Sequence, residues 1–153
     1  MQIDQEFGLS LPPDDAYQLL LEIDKIAPCM PGAALHDELP GGERGVTVTV
    51  KLGAMRFVYD GTIKIADRDD GSRKAVLEAS AREKRGGGTA QATVTMSVSE
   101  DAGTAAIVKS VAQVQLTGRA AQNGRGIVEA VARRMVSEMA RCLDERYGAA
   151  STG

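Results

Sequence analysis

Large aromatic side chains are scarce in this sequence, which has no tryptophan, two phenylalanines and three tyrosines among 153 residues. Aromatic side chains normally supply much of the volume of a hydrophobic core. The chain is long enough to form one domain with a real core, and it is rich in alanine and contains 17 glycines. The composition therefore predicts either a thin, alanine-packed core or an interior that is not filled.

Histidine and cysteine, which often bind metals or take part in catalysis, are also sparse. His36 is the only histidine and stands beside two acidic residues in a predicted strand, so an exposed histidine is favoured over a catalytic base. Cys29 and Cys142 have no metal-binding spacing, and without a secretion signal we expect both to be reduced. The glycines at 86–88 lead into a strand and not into a helix, as a phosphate-binding loop would. We therefore predict no catalytic residues and no metal site.

Neither a strong charge of one sign nor a long apolar run is present. The net charge is −3 and no basic run stands out, which argues against a nucleic-acid partner. No apolar stretch approaches the roughly 20 residues that span a membrane. The alternating N-terminus is typical of a strand and not of a targeting sequence. We therefore expect a cytoplasmic protein.

The region 118–147 has the helical periodicity around which the rest of the chain is organised. Its apolar residues recur every three to four positions, with charged residues on the other side. If this helix begins near Arg119, it is about 43 Å long at about 1.5 Å per residue, so the rest of the chain is expected to form the surface that it covers. The apolar positions are Ile127, Val131, Met135, Met139 and the pair Cys142 and Leu143.

The preceding chain predicts one strand, two short helices and then six more strands. Pro12-Pro13-Asp14-Asp15 ends the first strand and starts a helix, because proline and acidic residues are favourable in a first turn. Short turns between alternating strands favour antiparallel pairing. We therefore predict an α+β helix-grip fold, a seven-stranded antiparallel curved sheet wrapped around the long C-terminal helix. The domain is expected to span 1–147, with a disordered tail at 148–153. The predicted strands are 2–11, 33–39, 46–52, 55–67, 74–82, 89–98 and 106–116.

Small side chains dominate the face of this sheet that is predicted to point inward, and they do not bridge the ~10 Å between packed layers. One interpretation is a helix lying close on an alanine layer. The other, which we favour, is an apolar cavity between sheet and helix that binds a hydrophobic small molecule. The glycine-containing segment 117–126 is its predicted mouth or hinge. The small inward residues are Gly61, Ala75, Ala79, Ala81, Ala90, Ala92, Ala106, Ser110 and Ala112. The predicted cavity wall is Phe57, Tyr59, Ile63, Leu77, Val94, Met96, Val114, Ile127, Val131, Met135 and Met139.

Several short motifs, in order along nearly the whole chain, resemble the CoxG family of carbon monoxide dehydrogenase subunits, within the START-like SRPBCC superfamily. Each motif is weak alone, and the combination is fairly specific. Beside Pro12-Pro13-Asp14-Asp15, they are Ala27-Pro28-Cys29-Met30-Pro31-Gly32, Val50-Lys51-Leu52-Gly53, Tyr59-Asp60-Gly61-Thr62, Asp67-Arg68-Asp69, Leu116-Thr117-Gly118-Arg119-Ala120-Ala121-Gln122-Asn123-Gly124 and Val131-Ala132-Arg133-Arg134.

The resemblance implies a non-catalytic accessory protein of a molybdenum hydroxylase, typically a carbon monoxide dehydrogenase. It implies a quinone such as menaquinone in the cavity and a peripheral contact with the inner face of the cell membrane. Many relatives continue after the long helix into a linker and a membrane-binding segment, whereas this sequence stops at Gly153. The alternatives are a polyketide cyclase-like or hydrolase-like enzyme using Tyr59 or a carboxylate, and a pure assembly factor.

Overall fold

The protein is described by a computed structural model that covers residues 1–101 and 105–148. Strand β1 (Gln2–Leu9) is followed by the helices α1 (Pro13–Leu21) and α2 (Ile23–Ile26) and a 3-10 turn (Ala27–Cys29). Asp14 and Asp15 occupy the first turn of α1, as predicted, and Asp14 also pairs with Arg73 at 2.7 Å. A second 3-10 turn (Pro40–Gly42) lies after the next strand. The remaining strands are β2 (Ala33–Glu38), β3 (Arg44–Leu52), β4 (Met55–Asp69), β5 (Lys74–Glu83), β6 (Thr89–Asp101) and β7 (Ala105–Leu116).

All seven strands form one sheet in the order β1-β7-β6-β5-β4-β3-β2, and every neighbouring pair is antiparallel. The register shifts between Ile65 and Asp67 of β4, and such bulges bend a strand and increase its twist. The long helix α3 (Arg125–Tyr147) follows a short 3-10 helix (Arg119–Asn123). The predicted helix-grip architecture is therefore confirmed.

The long helix begins later than predicted. Residues Arg119–Asn123 form a 3-10 helix, and Gly124, with φ 88°, separates it from α3. A backbone with this φ leaves the α-helical region, and glycine adopts it readily because it has no Cβ. The 23 residues of α3 make it about 35 Å long at about 1.5 Å per residue, and not 43 Å. At its other end the Gly148 N–H donates to the Asp144 carbonyl oxygen at 2.9 Å, so Gly148 closes the helix. Residues 149–153 of the predicted tail lie outside the described residues.

The buried side chains form two clusters at opposite ends of the sheet. The larger joins α1 to the C-terminal half of α3, with Leu9, Val108 and Leu143 at most 2% exposed. The smaller lies where α3 begins and contains Phe57, Tyr59 and Val128. Between the two clusters, much of the inner face of the sheet is only half-buried.

The two cysteines are joined in a disulfide bond, so the expectation that both are reduced is wrong for this structure. The turn after α2 brings Cys29 into the larger cluster, against the penultimate turn of α3 where Cys142 lies. Their Cα atoms are 5.4 Å apart, within the range that a disulfide requires. The bond links residues that are 113 positions apart. The spacing of the two cysteines in the sequence does not predict this contact, because the contact depends on how the long helix lies across the fold.

Candidate functional site: an apolar cavity under the long helix

The position of α3 leaves a gap above the middle of the sheet. The helix contacts mainly β1, β3 and the 3-10 turn before β2. Because β1 and β3 lie toward opposite edges of the sheet, α3 crosses over the concave face of the sheet between them. The helix backbone comes less close to the strands β4 to β7, which lie beneath it. Side chains of α3 contact these strands in the two core clusters at the ends of the sheet. Space between helix and sheet follows from this geometry wherever the intervening side chains are short.

A cavity of about 290 Å³ occupies this gap. Its helix wall consists of Val128, Val131, Ala132 and Met135, and the surface that the walls present to the cavity is almost entirely apolar. The cavity that the sequence predicts between sheet and helix is therefore present. The residues that line it from the sheet are Val46, Val48, Val50, Leu52, Tyr59, Thr62, Ala79, Ser80, Ala81, Ala90, Gln91, Ala92, Val114 and Leu116.

Four alanines form the floor of the cavity. Ala79 lies opposite Ala92 and Ala81 lies opposite Ala90 across β5 and β6, and all four line the cavity. A leucine at any of these positions extends several ångströms further toward the helix. Beside them, a side chain at Gly61 would collide with the Ser80 carbonyl and with Ala81. The small residues thus create the space and permit the close approach of β4 to β5.

Four of the predicted wall residues line this cavity: Tyr59, Val114, Val131 and Met135. Phe57 is 2% exposed in the smaller core cluster, beside Tyr59. Met139 is buried in the larger cluster, and Met96 packs against that cluster. These three side chains belong to the core clusters and are not part of the cavity lining.

The other predicted wall residues lie elsewhere on the same elements. Ile63, Leu77 and Val94 are half-buried on the strands but outside the lining. Ile127 is 43% exposed, whereas its neighbour Val128 is 7% exposed and lines the cavity. The prediction for Ile127 followed steps of four residues along the helix. On a helix of 3.6 residues per turn, each such step rotates the side chain about 40° past a full turn, so Ile127 does not share the face of the later residues.

Some lining residues escaped the sequence analysis although the sequence contains a signal for them. On α3, the missed residues Val128 and Ala132 join the predicted Val131 and Met135. Together they follow the spacing i, i+3, i+4, i+7, which is the usual pattern of a helix face turned toward a core. On β3, the alternation from Val46 to Leu52 predicts an inward face, but β3 was not expected to contribute to the wall. It does so because α3 rests against β3 and lies over it.

Among the described residues that line the cavity, one buried side-chain polar atom has no hydrogen-bond partner. The Tyr59 side chain is 7% exposed and lines the cavity, and its hydroxyl makes no hydrogen bond to any described residue. Leaving such a group unsatisfied costs about 1–3 kcal/mol. In contrast, the hydroxyl oxygen of Tyr17, in the other cluster, lies 2.8 Å from Asp70 Oδ1 and 3.0 Å from the Lys74 carbonyl oxygen.

A buried carboxylate lies opposite Tyr59 in the sheet. Glu83 pairs with Tyr59 in the β4–β5 ladder and is 7% exposed. Its oxygens accept hydrogen bonds from the N–H groups of Val58 (3.1 Å), Arg85 (3.0 Å) and Gly86 (2.6 Å). Burial raises the pKa of Glu83, but these backbone donors outweigh it and hold the pKa below its ordinary value. Burial, together with the charge of Glu83, raises the pKa of Tyr59, so the phenol keeps its proton.

A larger hollow of about 440 Å³ lies on the opposite face of the sheet. Its lining includes Lys64, Glu78, Gln113 and Gln115, so it does not offer an apolar environment. Within the described ranges, no three His, Cys, Asp or Glu residues are grouped as metal ligands. No helix in the described part of the chain is both long and apolar enough to cross a membrane. The cavity under α3 is therefore the candidate site.

Solved structures from several organisms share this fold. A conserved protein from Geobacillus kaustophilus superposes with a TM-score of 0.83 at 16% identity, covering 95% of this chain and 94% of that chain. The Zhui aromatase/cyclase from Streptomyces sp. R1128 gives 0.63 at 14% identity, covering 98% and 97%. A START superfamily protein from Mycobacterium smegmatis gives 0.59 at 9% identity, covering 95% of each chain. At these identities the likeness is one of fold alone.

Comparison with curated protein sequences gives no match. A family profile does match: that of the carbon monoxide dehydrogenase subunit known as CoxG, over residues 6–148. The match includes all of α1, the whole of β2 to β7 and all of α3. The chain therefore belongs to the CoxG family of carbon monoxide dehydrogenase subunits.

Proposed function

We propose that this protein binds a hydrophobic small molecule in the cavity under α3 and acts as a non-catalytic carrier. The observation that supports the proposal most directly is a cavity of about 290 Å³ with an almost wholly apolar inner surface, for which the four small alanines of its floor leave room. Burying apolar ligand surface there is favourable by about 25 cal/mol per Å². The fold alone does not assign a ligand, and the chemistry of the wall favours an apolar one.

The ligand that best suits the family is an isoprenoid quinone such as menaquinone, and we extend the proposal to it. A volume of about 290 Å³ is at the lower end of the ~300–1,000 Å³ of ligand pockets, so the cavity holds a ring system or a short chain. A second pocket of about 350 Å³ shares Val114, Leu116 and Val128 with it and extends to Met1 and Arg125. The remainder of a long ligand would lie along this second pocket, at the predicted mouth.

Membership of the family supports a molybdenum hydroxylase of the carbon monoxide dehydrogenase type as partner, with the bound quinone linking that enzyme to the respiratory chain.

The end of the molecule near the second pocket carries basic residues. Arg119 lies against Gly86, in the same turn as Arg85, and Arg125 lines the second pocket. Among the described residues, no carboxylate is within ion-pair distance of these arginines. We propose this end for a peripheral contact with the inner face of the cell membrane.

An enzyme of the cyclase type is the second candidate. Its support is the fold shared with an aromatase/cyclase and the unpartnered, buried hydroxyl of Tyr59, a residue that lines the cavity. A phenol held in an apolar site is a suitable general acid. Turnover of a polyketide substrate by the wild-type protein, lost in Tyr59→Phe, would favour this candidate over the carrier.

The carrier proposal is tested by extracting the purified protein with organic solvent and identifying released molecules by mass spectrometry, followed by titration with menaquinone. We expect a neutral apolar molecule to be released and menaquinone to bind at one site per chain. A protein that releases no such molecule and binds no menaquinone would refute the proposal.

A further inference from the structure

We propose that the ligand lies across the strands, with a bulky apolar end against β3 and one narrow chain that passes between β7 and the start of α3 into the second pocket. This inference rests on the proposed carrier function and adds to it the orientation of the ligand and the residues that select its shape. The class of ligand that fits is an uncharged hydrophobe with a ring system at one end and a single flexible hydrocarbon chain.

The first support is the direction in which the small residues of the sheet are aligned. In the register of the sheet, Gly61 of β4 is opposite Ala81 of β5. Ala81 is opposite Ala90 of β6, and Ala90 is opposite Leu116 of β7. Val46 of β3 stands at the other end of this row, opposite Gly61. The row therefore runs across the strands, and at about 4.8 Å between neighbouring strands it is about 19 Å long. An elongated ligand placed over its small side chains lies across the strands as well.

The second support is that the cavity lining is longer on β3 than on β7. On the inner face, four alternate residues of β3 line the cavity, from Val46 to Leu52, whereas β5, β6 and β7 each contribute two. Alternate residues of a strand are about 6.8 Å apart, so the lined stretch is about 20 Å long on β3 and about 7 Å long on β7. The next inner residues of β5 and β6 are the bulkier Leu77 and Val94, which are opposite each other and outside the lining. A ring system therefore fits the end at β3, and a chain fits the end at β7.

The third support is that the cavity adjoins the second pocket at this narrow end. Val114 and Leu116 of β7 and Val128 of α3 line both spaces, and we call these three residues the neck. Beyond the neck, the second pocket is lined by the exposed residues Ala121 and Arg125. A chain attached to a ring in the cavity reaches the surface by this route, in contact with three aliphatic side chains. The neck thus determines the shape of ligand that the site accepts.

The fourth support concerns charge. Among the described residues that line the cavity, none has a charged side chain. Transfer of an unpaired charge from water into such an apolar site is strongly unfavourable. The part of the ligand that lies in the cavity is therefore uncharged.

The test compares two probes on the full chain by equilibrium dialysis. The ring probe is 2,3-dimethyl-1,4-naphthoquinone, and the chain probe is menaquinone-2, which adds two isoprene units to the same ring system. The wild type is expected to bind the chain probe at least tenfold more tightly, because the chain buries further apolar surface in the neck.

Two tryptophan substitutions distinguish the two ends of the site. Ala121→Trp obstructs the second pocket, and is expected to reduce the advantage of the chain probe to less than threefold without changing the affinity for the ring probe. Val48→Trp fills the end at β3, and is expected to weaken both probes at least tenfold. Gln122→Trp is the matched control, because Gln122 is exposed beside Ala121 and outside both linings. Circular dichroism checks the folding of each variant, and Val46→Phe replaces Val48→Trp if that variant does not fold.

The outcomes separate the two proposals. If the wild type binds both probes with equal affinity, or if Ala121→Trp weakens both probes equally, the proposed orientation is overturned while the carrier function stands. The reverse pattern, in which Ala121→Trp weakens the ring probe and the substitution at β3 does not, would place the ring in the second pocket and also overturn the orientation. If the wild type binds neither probe, the carrier function itself fails.

Discussion

Cys29 and Cys142 form a disulfide bond that ties the turn after α2 to the penultimate turn of α3. The bond lies in the larger core cluster, away from the cavity-lining half of the helix. It anchors the C-terminal end of α3 to the turn before β2, and the other end begins after Gly124 without such a bond. Any movement of the helix relative to the sheet is therefore expected at its N-terminal end, where Val128 lines both the cavity and the second pocket.

Removal of this bond is expected to destabilise the protein without closing the cavity. In the chain-entropy account, a cross-link across 113 residues lowers the entropy of the unfolded state enough to stabilise the fold by about 3–5 kcal/mol. Urea unfolding of the wild type with and without reductant measures this difference. The double variant Cys29→Ser/Cys142→Ser is the control, because its midpoint should not respond to reductant. A reductant-insensitive wild type would contradict the prediction.

Two tyrosine-to-phenylalanine substitutions are expected to change stability in different ways. Tyr17→Phe removes a hydroxyl that contacts Asp70 and the Lys74 carbonyl, and should lower the free energy of unfolding by about 1–2 kcal/mol. Tyr59→Phe removes a hydroxyl with no described partner, and should leave that free energy unchanged or raise it by up to about 1 kcal/mol. Chemical denaturation of both variants without ligand is the measurement. Equal losses would show that Tyr59 has a partner in the free protein.

Replacing glycine by alanine is expected to have opposite effects on stability at Gly61 in β4 and at Gly126 in α3. Gly61→Ala places a methyl group against the Ser80 carbonyl and Ala81, and should lower the free energy of unfolding by about 1–3 kcal/mol. Gly126→Ala in the first turn of α3 meets no atom within 4 Å, and should raise it by up to about 1 kcal/mol. Thermal unfolding of the pair distinguishes a packing effect from a general effect of glycine replacement. Equal behaviour of the two variants would contradict this account of β4 and β5.

The basic end of the molecule gives a prediction about membranes. Replacing Arg119 and Arg125 together by serine should weaken the affinity for phosphatidylglycerol vesicles, measured by co-sedimentation, by about tenfold or more. Each basic residue near an anionic surface contributes about 1 kcal/mol to binding. Arg133 and Arg134 are the matched control, because they already pair with Glu129 (2.9 Å) and Glu138 (3.1 Å) on the same helix. Serine at both control positions changes the net charge equally and should have a much smaller effect. If both double variants lose binding equally, or if the wild type does not sediment, the proposed contact is wrong.

The strands and their inward faces are predictable from the sequence because alternation is a local signal. The run from Val46 to Leu52 alternates so regularly that only one register buries its valines. The alanines of β5 and β6 likewise predict an unfilled interior before any contact is known. The family also follows from sequence motifs, and the profile match confirms it.

The rotation of α3 and the Cys29–Cys142 bond depend on tertiary packing and are harder to infer. Ile127 and Val128 are equally apolar, and the break at Gly124 fixes which of them turns inward. A helix starting near Arg119 has a different phase from one starting at Arg125. The disulfide depends in turn on where the last turns of that helix lie.

The central claim, that the space under α3 is an apolar binding site, is tested most directly by a pair of adjacent substitutions on the helix. Val131 lines the cavity and Ala130 is exposed outside it. Titration with the neutral fluorescent probe N-phenyl-1-naphthylamine should give saturable binding to the wild type and to Ala130→Trp. Val131→Trp should bind at least tenfold more weakly, with folding unchanged by circular dichroism, because the indole fills the cavity. Undiminished binding by Val131→Trp, or no binding by the wild type, would contradict the claim.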